Sequence, residues 1–218
     1  DTPSKAGTVA ERARLRPAVK RTPHPIYRFS VWGARADEFA AADDPTKDRN
    51  VTAIHAQFTR KDQIPLYVQY KIRPSFYTLH TYYFAEAHIA NRGKEQAMYI
   101  SPMRDAIDAG LHPTNHTDAV VAPLDQMFML WSAVNRISRA GAEIGPDQRI
   151  TPLEGLKAMP SWAAEQYGEQ ESKGSLEVAK IADLVILDKN PLKVDQMAIK
   201  DVRVVETIKE GKTIYRAP

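Results

Sequence analysis

Cysteine is absent from this chain, which excludes disulfide staples and thiolate metal sites; any bound metal must take histidine and carboxylate ligands. No apolar run approaches the roughly 20 residues that a membrane span requires, and no signal peptide is visible. Histidine is scarce, at six residues, and no His-x-His pair occurs. Internal repeats of fixed period and low-complexity tracts are also missing. What remains is 218 residues with 43% apolar composition. That is enough for one large domain, or a smaller one with an appendage, and it argues against global disorder. The lack of cysteine does not fix the compartment; a soluble chain, cytoplasmic or exported, is expected.

The formal net charge of +3 hides an asymmetry. Residues 1–30 carry seven basic side chains (Lys5, Arg12, Arg14, Arg16, Lys20, Arg21, Arg28) against Asp1 and Glu11, a net of +5 that leaves −2 for the rest. Basic arms can bind nucleic acid or anionic membranes. This one has no interleaved aromatics and no binding motif, so it reads as a solvated leader, and neither nucleic acid nor membrane is expected as a partner. The chain starts at Asp1 rather than Met, which reads as a processed or cut start.

Residues 1–47 form an irregular basic leader, punctuated by Pro3, Pro17, Pro23, Pro25 and Pro45. Within it, Tyr27–Trp32 predicts a strand and Ala34–Ala42 a helix. Regular patterning begins at Val51–Ala56, a short apolar strand. Thr59 is expected to cap a helix over about 60–70, with Asp62 in its first turn. Pro74–His80 predicts a second strand that runs into an aromatic, histidine-bearing loop. Ser101-Pro102 opens a helix that Gly110 closes. Leu111–Asn115 predicts a third strand, followed by an apolar helix over about 124–137. Thr151-Pro152-Leu153-Glu154 is a capping box, and Pro160 should break the helix it opens. Ala182–Asp188 reads as a buried strand, and 203–208 with 213–216 as a hairpin across Lys209-Glu210-Gly211-Lys212.

Successive strand–helix units imply an α/β fold with parallel strands. A closed eight-unit barrel typically needs ~250 residues, and only three to four units are present here. The expected architecture is therefore an incomplete TIM-like barrel, its last three to four units, followed by a small β segment. In such barrels chemistry gathers where strands hand over to their loops. Asn115-His116-Thr117-Asp118 puts an imidazole and a carboxylate there, and His55 ends the first regular strand. A carboxylate at that edge can bind a metal or take a proton from water; equally, Asp118 can simply cap a turn. His55 can be a ligand or a hydrogen-bonded core residue. His116, two residues before Asp118, can act with it or serve as a bonded loop histidine. His80 and His88 flank Tyr82-Tyr83-Phe84, as a pocket lining or as a packed aromatic cluster. His24 and His112 carry no role.

Several stretches, in order, carry a resemblance to a known family. They are Ile54-His55-Ala56-Gln57-Phe58, Asn115-His116-Thr117-Asp118, Pro123-Leu124-Asp125-Gln126-Met127 and Gly145-Pro146-Asp147-Gln148-Arg149, with the tail Lys173-Gly174-Ser175-Leu176-Glu177, Ala182–Asp188 and Glu210-Gly211-Lys212. Over about residues 48–216 the chain resembles the amidohydrolase superfamily, in its amidohydrolase family 3 branch. The resemblance implies a metal-dependent hydrolase of carbon–nitrogen bonds, on a barrel joined to a small composite β-sandwich. Residues 48–172 would be the C-terminal part of the barrel and 173–218 the β-sandwich segment. It implies a divalent cofactor, zinc being the expected ion, with His55 as a ligand and Asp118 as ligand and catalytic base. From their positions rather than from the resemblance, His80 and His116 are the candidates for contact with substrate, expected to be a small amide or N-acyl compound. The sequence departs from the family where it has no His-x-His, Trp32 at the expected strand-five histidine, Pro160 for a small polar residue and Ala179 for glycine. With several ligands missing, the portion is expected to be inactive alone. The alternative is a non-catalytic remnant or partner-binding module, and an open barrel edge could pair in a homo-oligomer.

Overall fold

The computed structural model describes residues 27–29 and 47–218. Its centre is a four-stranded parallel sheet of β1 (Tyr27–Phe29), β2 (Val51–His55), β3 (Ile72–Phe76) and β4 (Thr114–Asn115), ordered as they occur in the chain. The connections carry α1 (Ile64–Gln69) between β2 and β3, then α2 (His80–Tyr83), α3 (Ala85–Arg92), α4 (Lys94–Met98) and α5 (Met103–Asp108) before β4. Beyond β4 follow α6 (Gln126–Asn135), α7 (Pro152–Ala158) and α8 (Ser161–Tyr167). The chain ends in a three-stranded antiparallel sheet of β5 (Leu184–Leu187), β6 (Val204–Lys209) and β7 (Lys212–Arg216).

Strand alternation divides the parallel sheet into two faces. Val51, Ala53, Ile72 and Phe76 enter a buried cluster with Ile64 and Tyr67 of α1, Met103 and Ala106 of α5, and Ala158 and Trp162 of α7 and α8. Thr52, Arg73 and Ser75 occupy the other face, where Arg73 makes a two-pronged ion pair with Asp48. Phe76 is fully buried, so truncation to alanine should cost about 3–5 kcal/mol. A second cluster joins Met127, Leu130, Trp131 and Val134 of α6 to Ile199 and Val202 near the C-terminal sheet.

Several local signals are realised. Thr151 Oγ1 accepts from the Glu154 amide while Glu154 accepts from the Thr151 amide, and the helix divides at Pro160. Others are corrected. Thr59 does not cap a helix: its hydroxyl donates to Ala56 O, and the chain enters α1 through a 3-10 turn at Lys61–Gln63. The third strand is only Thr114–Asn115, because His112-Pro113 precedes it and proline has no amide to give the ladder. The β5 strand is not buried: Val185 and Ile186 are 57% and 45% exposed. The expected helix over 34–42, and Trp32, lie outside the described residues. Among the described residues no helix is long and apolar enough to cross a membrane.

Arg136 holds the loops behind the sheet's upper edge. It is wholly buried and donates to three backbone carbonyls: Ile144 O at 2.7 Å, Ile100 O at 2.6 Å and Ser101 O at 3.1 Å. Burial pushes its pKa down to about 9. Ser101 carries that anchor onward, its amide donating to Gln57 O and its hydroxyl to Tyr77 O. The segments leaving β2 and β3 are thereby fixed to α6.

Candidate active site

The C-terminal ends of three strands lie side by side, His55 beside Phe76 and Phe76 beside Asn115. The chain leaving each strand therefore enters one rim. His55 and Asp118 both adopt left-handed backbone there, at φ 67 and 51. For residues with a Cβ such conformations cost about 1–3 kcal/mol each and tend to gather at functional sites. The Val121 amide donates to Asp118 O at 2.7 Å, closing the turn that holds Asp118. Asn115 Oδ1 accepts from the Thr78 amide, which ties the end of β4 to the loop after β3.

These elements bring the distant side chains together. His55 Nε2 lies 3.8 Å from Asp118 Oδ2, with side chains 24% and 40% exposed, so solvent reaches both. The gap is too wide for a hydrogen bond. It is narrow enough for one ion to bond both atoms at about 2.0–2.1 Å. His116 Nε2 lies 3.3 Å from His55 Nδ1, and His116 Nδ1 is 3.0 Å from Ser75 Oγ. Three of the four residues expected from the sequence thus meet directly.

His80 joins through Tyr77. The Tyr77 ring stacks on His116 at 5.6 Å between centroids and meets His80 edge-on at 4.6 Å. His80 Nδ1 lies 2.8 Å from His88 Nε2 on α3, and Phe84 and Phe58 flank the two rings. Burial, with His88, His55 and His116 nearby, pushes His80 down to about 3. Burial and His55 bring His116 down to about 4 against the opposing pull of Asp118. Both imidazoles are therefore neutral at pH 7. Burial, then the Asp118 charge, pushes the Tyr77 phenol up to about 12, and its hydroxyl has no hydrogen-bond partner among the described residues.

Sequence reasoning did not single out Ser75 or Tyr77. The available signal for Ser75 was a small polar residue just before the end of an apolar strand, where alternation turns it away from the helices. Tyr77 offered only its place one residue past that strand.

A divalent ion can be tested against this donor set. His55 Nε2 and Asp118 Oδ2 fit as two donors on one edge of an ion. Catalytic zinc sites use three protein ligands, and no group of three or more His, Asp or Glu residues able to hold a metal occurs among the described residues.

An N-substituted formamide deformylase from Arthrobacter pascens is 29% identical over 125 residues, covering 57% of this chain and 23% of that protein. An uncharacterized metal-dependent hydrolase from Pyrococcus horikoshii OT3 superposes with a TM-score of 0.62 at 22% identity, over 74% of this chain and 32% of that one. An amidohydrolase from Thermotoga maritima MSB8 gives a TM-score of 0.60 at 17% identity, over 88% and 44%. At such identities the solved structures establish the fold, a mixed α/β arrangement on a parallel sheet. The chain spans less than half the length of each of these relatives. The model of the Amidohydrolase family matches residues 28–215, from β1 into β7, and the chain belongs to that family.

Proposed function

We propose that this chain is the C-terminal part of a metal-dependent amidohydrolase that cleaves non-peptide carbon–nitrogen bonds in small amide or N-acyl substrates. Residues 48–172 would complete a barrel begun elsewhere, and 173–218 would contribute to a composite β-sandwich. The carrying observation is the 3.8 Å approach of His55 Nε2 to Asp118 Oδ2 at the C-terminal rim of the parallel sheet. The name of the Arthrobacter pascens relative, a deformylase of N-substituted formamides, supports an amide substrate.

His55 and Asp118 would hold a divalent cation, with zinc as the expected ion. Such an ion, when bound, polarises a carbonyl and acidifies water. The Asp118 carboxylate accepts a proton as water oxygen bonds to the amide carbon. It then returns that proton to the departing nitrogen as the C–N bond breaks, giving a carboxylic acid and an amine. The neutral His116 meets the substrate through its ring, since both its nitrogens are engaged, and His80, whose Nδ1 faces His88, meets it through its ring and Nε2. Two donors leave the site short of a catalytic set, so this portion is inactive alone.

Zinc titration calorimetry on the full chain tests this reading. It predicts one weak site whose affinity falls at least about tenfold in both His55→Ala and Asp118→Ala, and no amide hydrolysis by the chain by itself. Equal zinc uptake by wild type and both variants would remove the reading and favour a non-catalytic module.

A further inference from the structure

Tyr77 is the first residue beyond β3, and its backbone is tied down on both sides. Its carbonyl accepts from the His80 amide and from the Ser101 hydroxyl, and the amide of the next residue, Thr78, donates to Asn115 Oδ1. The ring is held as firmly. It stacks on His116 at 5.6 Å, lies 6.0 Å from the His55 ring and meets His80 edge-on at 4.6 Å. It also packs with Ala122, from the loop that follows Asp118, and the residue is 1% exposed.

The hydroxyl is the part left unpaired. The phenol oxygen is buried and has no hydrogen-bond partner among the described residues. Burying a hydroxyl without a partner opposes folding, and phenylalanine would make the same ring contacts without that cost. Orphaned groups of this kind are rare in folded proteins, and a donor kept for a ligand is one physical reason for them. Three features favour that reason here. The ring touches both histidines of the rim, the packing fixes where the oxygen points, and a phenol ordinarily titrates near about 10, so it holds its proton at neutral pH. A donor placed in advance needs no reorganisation when charge develops on a ligand oxygen.

We propose that Tyr77 is a further substrate-contacting residue of this rim, its hydroxyl donating a hydrogen bond to the carbonyl oxygen of a bound amide. This deepens the amidohydrolase reading above and rests on it for the class of substrate. As water oxygen bonds to the amide carbon, the carbonyl oxygen gains negative charge and the hydrogen bond strengthens. Tyr77 keeps its proton throughout, so no bond at its oxygen forms or breaks. A ligand reaches the hydroxyl by shifting the loop that carries Ala122. Val120 and Val121 of that loop are 99% and 57% exposed, so little packing holds it down.

Acetamide, a small neutral amide, titrated into the full chain and followed by ¹⁵N–¹H correlation NMR tests this without turnover. Saturable shifts are expected at the amides of His55, His116 and Asp118. Affinity should be about 3–10-fold weaker in Tyr77→Phe, the worth of one neutral hydrogen bond. Urea unfolding supplies a second readout: Tyr77→Phe should unfold at the same or a higher urea concentration, because it removes an orphaned hydroxyl. A lower midpoint would show the hydroxyl already engaged in the free chain and would overturn the proposal. Equal acetamide affinity in the two proteins, or no saturable shift in wild type, would overturn it as well. Zinc calorimetry separates this donor from the metal site. Zinc held through His55 and Asp118, with acetamide indifferent to Tyr77, removes only the tyrosine donor. Acetamide bound through Tyr77, with zinc uptake unchanged in His55→Ala and Asp118→Ala, removes the metal site and keeps the donor.

Discussion

His55 and Asp118 face each other across the rim from two left-handed residues, φ 67 and 51, with Nε2 and Oδ2 3.8 Å apart. Each carries a backbone conformation that a side chain normally resists. The strain sits where the chain turns its imidazole and its carboxylate toward one point. Chemistry and conformation at Asp118 can be separated by substitution.

Asparagine tolerates the left-handed region and keeps the size of aspartate, whereas valine is β-branched and strained there. Asp118→Asn should therefore unfold within about 0.5 kcal/mol of wild type while losing at least about tenfold in zinc affinity. Asp118→Val should lose the same affinity and about 1–2 kcal/mol of stability besides. Denaturant unfolding alongside zinc calorimetry checks both. An Asp118→Asn chain that keeps full affinity would contradict a charge role for this carboxylate.

The buried Arg136 should be among the most sensitive positions. Arg136→Met fills much of the space but takes the guanidinium from the carbonyls of Ile100 and Ile144, while Ser101 O keeps the Met103 amide as a donor. With each of the two orphaned carbonyls costing about 1–3 kcal/mol, a loss of at least about 2 kcal/mol is expected in urea unfolding. Gly145 shares this junction: at φ +58, an added Cβ would lie 1.8 Å from Met98 O. Gly145→Ala should thus destabilise far more than Gly141→Ala, where φ is +85 and nothing stands within 4 Å.

The neutral histidines set the acid limb of stability. Folded His80 and His116 titrate at about 3 and about 4, below the ordinary 6.5, so the unfolded chain binds more protons across that interval. Stability is complete above about pH 6.5 and is lost as pH falls toward 4, by up to about 1.4 kcal/mol per pH unit for each imidazole. Partial exposure and the hydrogen bond shared with His88 reduce this. Urea unfolding at pH 6.5 and pH 5 should show a loss of roughly 2 kcal/mol in wild type and clearly less in His80→Gln. Identical losses in the two proteins would contradict a buried, neutral His80.

How much was legible in the sequence follows from the range of each signal. The Thr151–Glu154 capping box, the Pro160 break and the 204–216 hairpin are local, and each formed where the residues indicated. The convergence of His55 with Asp118 was legible because parallel strands deliver their C-terminal ends to one rim. The roles of Ser75 and Tyr77 were not, because they depend on which side chains from other strands arrive beside them. Thr59 was misread because a 3-10 turn intervened and its hydroxyl found the nearer Ala56 carbonyl. The β5 run Leu-Val-Ile-Leu gave no alternation, so hydrophobicity alone suggested burial that the three-stranded sheet does not provide.

That exposed sheet has a solution consequence. Val185, Ile214 and Tyr215 are 57%, 64% and 49% exposed, an apolar surface that favours association. Sedimentation velocity should find concentration-dependent association and binding of an apolar dye, both reduced in the double variant Val185→Glu with Ile214→Glu. A monomer at all concentrations, with no dye binding, would contradict this.

The metal edge itself is best examined by anomalous diffraction at the zinc absorption edge, using crystals of the chain equilibrated with zinc. The expected map has a peak bonded to both His55 Nε2 and Asp118 Oδ2, at about 2.0–2.1 Å from each. A peak between His80 and His88, or none at the rim, would contradict the assignment of these two residues as the chain's share of a metal centre.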